Sequence, residues 1–245
     1  KTMYQEELVK LATTSAPQAV NDAVSRVVDQ LNGLMDKAST IRSYFTSFIS
    51  TDSFNQQAMQ MASKFDKVLV DFQNVMVLFE TWLGRFTDVL PDVLALGSSA
   101  GDHAFPILEI AEQSKYLMSE DEEILSSELS LSGSRAWSKL QGTVTSQKTV
   151  DFQLDVKVET LPMPALINLH AHPDESVRKR AYEAEMEAWK SLDETLAACM
   201  NGIKGWVNTL NDRRGRKDAL HSPIDQARID RETLDAMMAA MEESF

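Results

Sequence analysis

The stretch from Asp174 to Gly215 limits most strongly what this chain can fold into. Val177, Ala181, Ala184, Ala188, Leu192, Leu196, Cys199, Ile203, Trp206 and Leu210 recur every three or four residues. That is the stripe of an amphipathic α-helix with one face in a core. Glu175, Lys179, Glu183, Glu187, Lys190 and Glu194 fall on the other face, as solvent requires. Asp174 suits an N-cap, Arg213 and Arg214 suit the negative end of a helix dipole, and Gly215 suits a left-handed stop. Read as one element, it is about 40 residues and about 60 Å long at 1.5 Å per residue. A small compact bundle has no room for such a rod, so the sequence points to a large helical wall. Gly202 and Gly205 cost about 1 kcal/mol each against alanine, which leaves open whether the rod runs through them.

The first half of the chain has the same period. Val20, Val24, Val27, Leu31, Leu34 and Met35 start a stripe that continues through Ile41, Tyr44, Phe45, Phe48 and Ile49, with Pro17 in its first turn. Thr51-Asp52-Ser53 breaks it. A second long helix follows, in which Phe65, Phe72, Phe79 and Phe86 repeat every seven residues. This spacing favours antiparallel packing on the preceding helix, and the ladder reads as core rather than as a ligand groove. Gly97-Ser98-Ser99-Ala100-Gly101 is the clearest loop, and a boundary is placed there. A short helix is expected over His103–Lys115. Ser119-x-x-Glu122 forms a capping box, and Gly133 separates that helix from one bearing Trp137 and Leu140.

One segment carries a β signal. In residues 149–159, Val150, Phe152, Leu154, Val156 and Val158 alternate with Asp151, Gln153, Asp155, Lys157 and Glu159. The period of two means a strand, or a bent strand pair, with one face buried. Pro162 and Pro164 stop it, and a short apolar helix, Ala165 to Leu169, leads into the long rod. After Gly215 comes an irregular stretch with Pro223, then a helix capped by Asp230 and bearing Leu234, Met237, Met238 and Met241. The expected fold is mainly α, with long antiparallel helices and one small β element around residues 148–160. Two regions are expected: a long-helix hairpin over 1–96, and a helical region with the β element over 102–245.

A chain of 245 residues, 43% hydrophobic and 25% charged, is ordinary globular material. Its net charge of −13 argues against nucleic acid and against anionic membranes. A single cysteine excludes an intramolecular disulfide and a cysteine-built zinc site. The lack of disulfides fits a reducing compartment, and a cytoplasmic location is expected. No apolar run is long enough to span a bilayer. The chain starts at Lys1 and stops at Phe245 inside a helical pattern, which reads as a fragment of something longer.

Candidate chemistry is sparse. His170 and His172 stand two apart, so in an extended segment both imidazoles point one way and could share a zinc. Zinc needs a third protein ligand, and His103 and His221 are far away in sequence, so the pair reads as loop histidines. Arg213-Arg214-Gly215-Arg216 could grip a carboxylate or phosphate, but C-terminal capping accounts for it. The acidic run Ser119–Glu123 reads as dipole compensation. Cys199 lies in the apolar stripe and reads as a buried hydrophobe. Ser132-Gly133-Ser134 lacks the frame of a nucleophile elbow. The sequence therefore names no catalytic, cofactor-binding or metal-binding residue. From these residues alone the chain is a mainly helical domain, and a non-enzymatic helical binding or scaffolding role is one reading.

Three ordered segments carry a resemblance. Leu117–Ser146 has a leucine-ended acidic helix, a small-residue turn and a tryptophan-bearing helix. His172–Trp189 has Arg178, Arg180, Ala181 and Tyr182 in an Arg-x-Arg-Ala-Tyr pattern. Leu210–Met237 has an Arg-Gly step, a loop and an acid-capped helix. Together they resemble the amino-terminal half of oligoendopeptidase F, of the thimet-oligopeptidase-like zinc metallopeptidases. The resemblance implies a helical shell around a channel in which short peptides are cut. It also implies zinc held by His-Glu-x-x-His and a later glutamate, with the motif's glutamate activating water. This sequence has no His-Glu-x-x-His. The resemblance thus implies an inactive amino-terminal shell segment of a zinc metalloendopeptidase. Zinc and catalysis would lie in a carboxy-terminal half that is its partner, and short peptides would be the substrates.

Overall fold

The computed structural model describes Leu11, residues 16–154 and residues 157–244. Two long helices open the fold: α1 (Pro17–Thr51) and α2 (Gln56–Leu83). The break between them falls at Thr51-Asp52-Ser53, and Asn55 caps α2 by accepting from the Ala58 amide at 3.0 Å. Short helices α3 (Leu90–Leu94), α4 (Ser99–Asp102) and α5 (Ala104–Gln113) then fold back on the start of α1. Val20, Val24 and Val27 meet Phe79, Leu83, Phe86, Leu90, Val93, Ala100 and Ile107 in one buried cluster. Asn21, buried there, donates its amide to the Val93 carbonyl at 2.7 Å, which satisfies it.

The apolar stripes of α1 and α2 are not buried along their whole length. Leu34, Met35, Tyr44 and Phe48 on α1 are exposed, as are Met61 and Val68 on α2. The phenylalanine ladder divides accordingly. Phe79 and Phe86 are in the core, whereas Phe65 and Phe72 are half-buried and line an open cavity. The expectation that the whole ladder is core is corrected for those two. Phe45 on α1 touches Phe65, with ring centroids 6.2 Å apart, and closes the far end of the hairpin.

Next come α6 (Glu120–Leu129) and α7 (Ser134–Ser146). The capping box is formed in both directions by Ser119 and Glu122. The β element is an antiparallel pair, β1 (Thr149–Leu154) and β2 (Lys157–Pro162). In this register Phe152 faces Glu159 and Val150 faces Leu161. Paired positions share a sheet face, so even numbers on β1 align with odd numbers on β2. Val158 therefore falls on the opposite face from Phe152 and is 68% exposed, while Leu161 takes the inner place. The unbroken alternation expected through Val158 is corrected by this change of phase; Asp155 and Val156 lie outside the described residues. Phe152 packs with Met163 and Leu166 of α8 (Met163–Asn168) and with Val177, Ala181 and Ala188.

The rod is two helices, α9 (Glu175–Lys190) and α10 (Asp193–Arg213). The single 40-residue element is thus corrected, and the break lies at Ser191-Leu192. The Ser191 hydroxyl donates to the Ala188 carbonyl at 2.6 Å and accepts from Lys148 Nζ at 2.7 Å. Such a hydroxyl offers the backbone an alternative to the helical ladder, and Leu192 leaves the helix with φ −110° and ψ 0°. Both ends are as expected. Asp174 accepts from the Ser176 amide at 2.8 Å, and Gly215 has φ +65°. The helix α10 continues through Gly202 and Gly205.

Those glycines have unequal roles. A Cβ on Gly202 would lie 2.5 Å from the Trp137 indole of α7, and one on Gly133 would lie 2.8 Å from the Trp206 ring of α10. Trp137 of α7 thus lies on Gly202 of α10, and Trp206 of α10 lies on Gly133, the residue that caps α7, and the backbones approach closely because neither glycine has a side chain. The chain ends with α11 (His221–Ala227), which holds Pro223 in its first turn where an irregular stretch was expected, and α12 (Arg231–Ser244). Asp230 caps α12 through the Thr233 amide at 2.7 Å.

Candidate functional site: a basic trough between α2 and α7

The helix α7 has no buried residue. It and the residue after it meet α2 and the turn before α2 through long polar side chains instead. Lys139 Nζ donates to the Ser63 hydroxyl, Arg135 donates to Gln73 Oε1 at 2.8 Å, and Gln147 donates to the Ser53 carbonyl at 3.0 Å. Polar stems of this length hold two helices apart where interlocking apolar side chains would close them. A trough therefore runs along the seam. It comprises three adjoining cavities of about 690, 450 and 610 Å³. Asp66 and Arg135 border the first two, and Ser63 and Lys139 border the second and third. At its wide end α1 adds a third wall through Met35, Ala38, Ser39 and Arg42, over a floor of Phe65, Leu69 and Phe72.

The charge of the trough is opposite to that of the chain. Arg42, Lys64, Lys67, Arg135 and Lys139 line it, against one carboxylate, Asp66. Among the described residues none of these cations has a carboxylate within ion-pairing distance. In a protein of net charge −13 this is a local inversion. A concave basic surface over an apolar floor attracts anions with apolar bodies and holds their potential against bulk solvent. Sequence reasoning missed this site. Lys64 and Lys67 on α2, and Arg135 and Lys139 on α7, stand three and four apart and so share a helix face. Which face meets which is a tertiary fact.

The arginine loop after α10 is engaged inside the protein. Arg214 makes two bonds to Glu123 of α6, at 2.9 and 2.6 Å, and Glu123 is only 2% exposed. Arg213 pairs with Glu122 at 3.1 Å, and Arg216 with Asp225 at 2.8 Å while covering the Tyr116 ring at 4.0 Å. These arginines do grip carboxylates, but those of α6 and α11, so the loop ties three helices. Capping alone does not account for them. Likewise Glu122 and Glu123 do more than complement a dipole.

Glu80 of α2 lines a cavity of about 260 Å³ beside this cluster. Burial, and then repulsion from Glu123, raise its pKa above the ordinary 4.5, and Arg214 only partly offsets them. A raised folded-state pKa means that the folded protein holds this proton more tightly. Stability from this group is greatest below the unfolded value and is lost as pH rises through the folded value. Glu80→Gln is accordingly expected to raise the Tm at pH 7, and the gain is expected to vanish near pH 4. Thermal melts of both proteins from pH 4 to 8 check this.

The remaining sequence candidates lie apart. His170 Nε2 is 3.0 Å from Glu185 Oε2, and His172 Nδ1 accepts from the Asp174 amide at 3.1 Å. His103 bonds to the Ser99 carbonyl, and His221 accepts from the Lys217 amide and packs edge-on to Tyr116. Among the described residues no three of His, Cys, Asp or Glu are placed to hold a metal ion. Cys199 is buried. Arg178 bonds to the His172 and Pro173 carbonyls, both at 2.9 Å, and Arg180 to the Gln153 carbonyl at 2.8 Å. The Arg-x-Arg-Ala-Tyr pattern thus fastens α9 to the turn before it and to β1. No described helix is long and apolar enough to cross a membrane.

Neither a family model nor a curated protein matches the sequence. A solved structure does match: the crystal structure of oligoendopeptidase-F from Enterococcus faecium, with a TM-score of 0.71 at 13% identity. The match covers 99% of this chain and 47% of that one. The chain has the fold of that oligoendopeptidase-F. It spans about half the length of the solved neighbour. The resemblance carried by three ordered segments thus reappears as a shared fold through nearly the whole chain.

Proposed function

We propose that this chain is the amino-terminal shell segment of a longer, zinc-dependent oligopeptidase, and that its trough is part of the wall along which peptides reach the catalytic half. The observation that carries this reading is the fold match, which takes in 99% of this chain and 47% of its neighbour. The trough supports it, because its cations and apolar floor suit extended peptides. The regions 1–96 and 102–245 are then successive stretches of one wall, joined by the apolar cluster that includes Ala100.

Zinc does not fit the described residues of this chain. The two histidines nearest one another are already turned to Glu185 and to the Asp174 amide. In this proposal zinc, and the water it activates, belong to the carboxy-terminal half. The part of this chain is to exclude folded proteins and to orient short peptides, which lowers the entropic barrier to attack. A cytoplasmic location, away from nucleic acid and membranes, belongs to the same reading.

The test compares residues 1–245 with the longer protein on a quenched fluorescent peptide. The longer protein is expected to cleave it, to lose that activity to a chelator and to regain it with zinc, whereas residues 1–245 are inert. Zinc-dependent cleavage by residues 1–245 alone would overturn the proposal. Absent cleavage by the longer protein would favour a scaffolding role instead, and chelator-insensitive cleavage would overturn the zinc dependence.

A further inference from the structure

We infer that the wide end of the trough is a carboxylate-reading subsite, which takes the free C-terminal end of a short peptide with apolar side chains. Two arginines line this cavity from different walls, Arg42 from α1 and Arg135 from α7. Arg135 is steadied by Gln73 at 2.8 Å, which fixes one fork and leaves the rest of its donors for a ligand. Arg42 has no partner among the described residues. Asp66 also lines this cavity, but among the described residues it pairs with neither arginine, and a guanidinium without a carboxylate partner is poised for an external one. The floor is Phe65, Leu69 and Phe72.

The dimensions agree. From Asp66 to Gln73 along α2 is about 10 Å at 1.5 Å per residue, which is the span of about three extended peptide residues. Asp66, the one carboxylate here, repels a second anion at its end. A peptide whose only anionic group is its C-terminus therefore lies with that group toward the arginines. Nucleic acid is disfavoured, because the trough sits in a chain of net charge −13.

This inference rests on the peptide-handling reading above, yet its test needs no hydrolysis. The 245-residue chain is titrated into a dye-labelled Leu-Ala-Phe-Leu peptide, as the free acid and as the C-terminal amide, and followed by fluorescence anisotropy. The free acid is expected to bind at least tenfold tighter than the amide, and Arg42→Ala is expected to abolish that preference. Arg42 is exposed, and circular dichroism verifies that the variant keeps its helices. Arg42→Lys, which keeps the charge but not the fork, is expected to recover part of it. Equal binding of acid and amide, unaltered preference in Arg42→Ala, or no binding of either peptide would each overturn the inference. Cleavage by the longer protein would still stand in those cases. Conversely, loss of cleavage there would leave an observed carboxylate preference intact.

Discussion

Arg214→Met is expected to lower stability by about 3 kcal/mol, because it strands a buried carboxylate. Glu123 is 2% exposed and receives two hydrogen bonds from Arg214, at 2.9 and 2.6 Å. Among the described residues its one other side-chain bond is from the Met118 amide at 3.1 Å, and Glu80 stands nearby as a like charge. Methionine fills the space of the arginine stem but supplies no charge, so the loss reports the pair and not a cavity. For a domain of this size the melting temperature is expected to fall by about 6–12 °C. Adding Glu123→Gln removes the stranded charge and is expected to recover at least half of the loss. Thermal and urea melts measure both variants. A loss below about 1 kcal/mol for Arg214→Met would show that Glu123 is solvated and that the loop does not tie α6 to α10.

The second large effect is expected at Gly202. Gly202→Val drives a branched side chain into the Trp137 indole, which a Cβ already meets at 2.5 Å. The indole is a rigid neighbour that packs on the helix backbone and cannot swing aside like a lysine. Overpacking of this kind costs about 1–3 kcal/mol, and the β-branch adds a helix penalty of a few tenths. Gly205 supplies the control. It is exposed in the same helix with nothing within 4 Å of its notional Cβ, so Gly205→Ala is expected to stabilise by about 1 kcal/mol. Opposite signs for two glycines three residues apart would establish the Trp–Gly interlock of α7 and α10. The same sign for both would remove it.

Much of the fold was legible because one physical signal, apolar period, is strong in long helices. The bounds of α1 and α2, the capping box at Ser119, the caps at Asp174 and Asp230 and the left-handed Gly215 all follow from side chains adjacent in sequence. The break at Ser191-Leu192 was not legible, for a definite reason. Ala188, Leu192 and Leu196 keep the four-residue spacing across it, so the stripe passes over the interruption. At the break the Ser191 hydroxyl bonds back to the Ala188 carbonyl and is met by Lys148 from 43 residues away, and neither contact shows in the periodicity. The hairpin shows the same limit. Alternation predicts strand from either arm, but the face on which Val158 lies depends on the pairing register.

The site was less legible than the fold. Arg42, Lys64, Arg135 and Lys139 belong to three helices, and nothing in their local sequence marks them as neighbours. Sequence reasoning singled out the arginines at 213–216, whose clustering is visible in one dimension, and they proved to be paired internally. The cations that have no carboxylate partner among the described residues, and so stay available to an anionic ligand, are scattered in sequence and brought together by α1, α2 and α7.

The most direct test of the central claim is to block the trough in the longer protein and read peptide cleavage. Ala136 lines its middle section, and the one native cysteine of these 245 residues, Cys199, is buried. With any cysteines of the remainder replaced by serine, Ala136→Cys can be labelled with a bulky maleimide, and Glu187→Cys on the exposed face of α9 serves as the control. Labelling at position 136 is expected to cut cleavage of a short peptide at least tenfold, and labelling at 187 to leave it unchanged. Equal cleavage by the two labelled proteins would contradict the account, because peptides would then reach the catalytic centre without passing along α2 and α7.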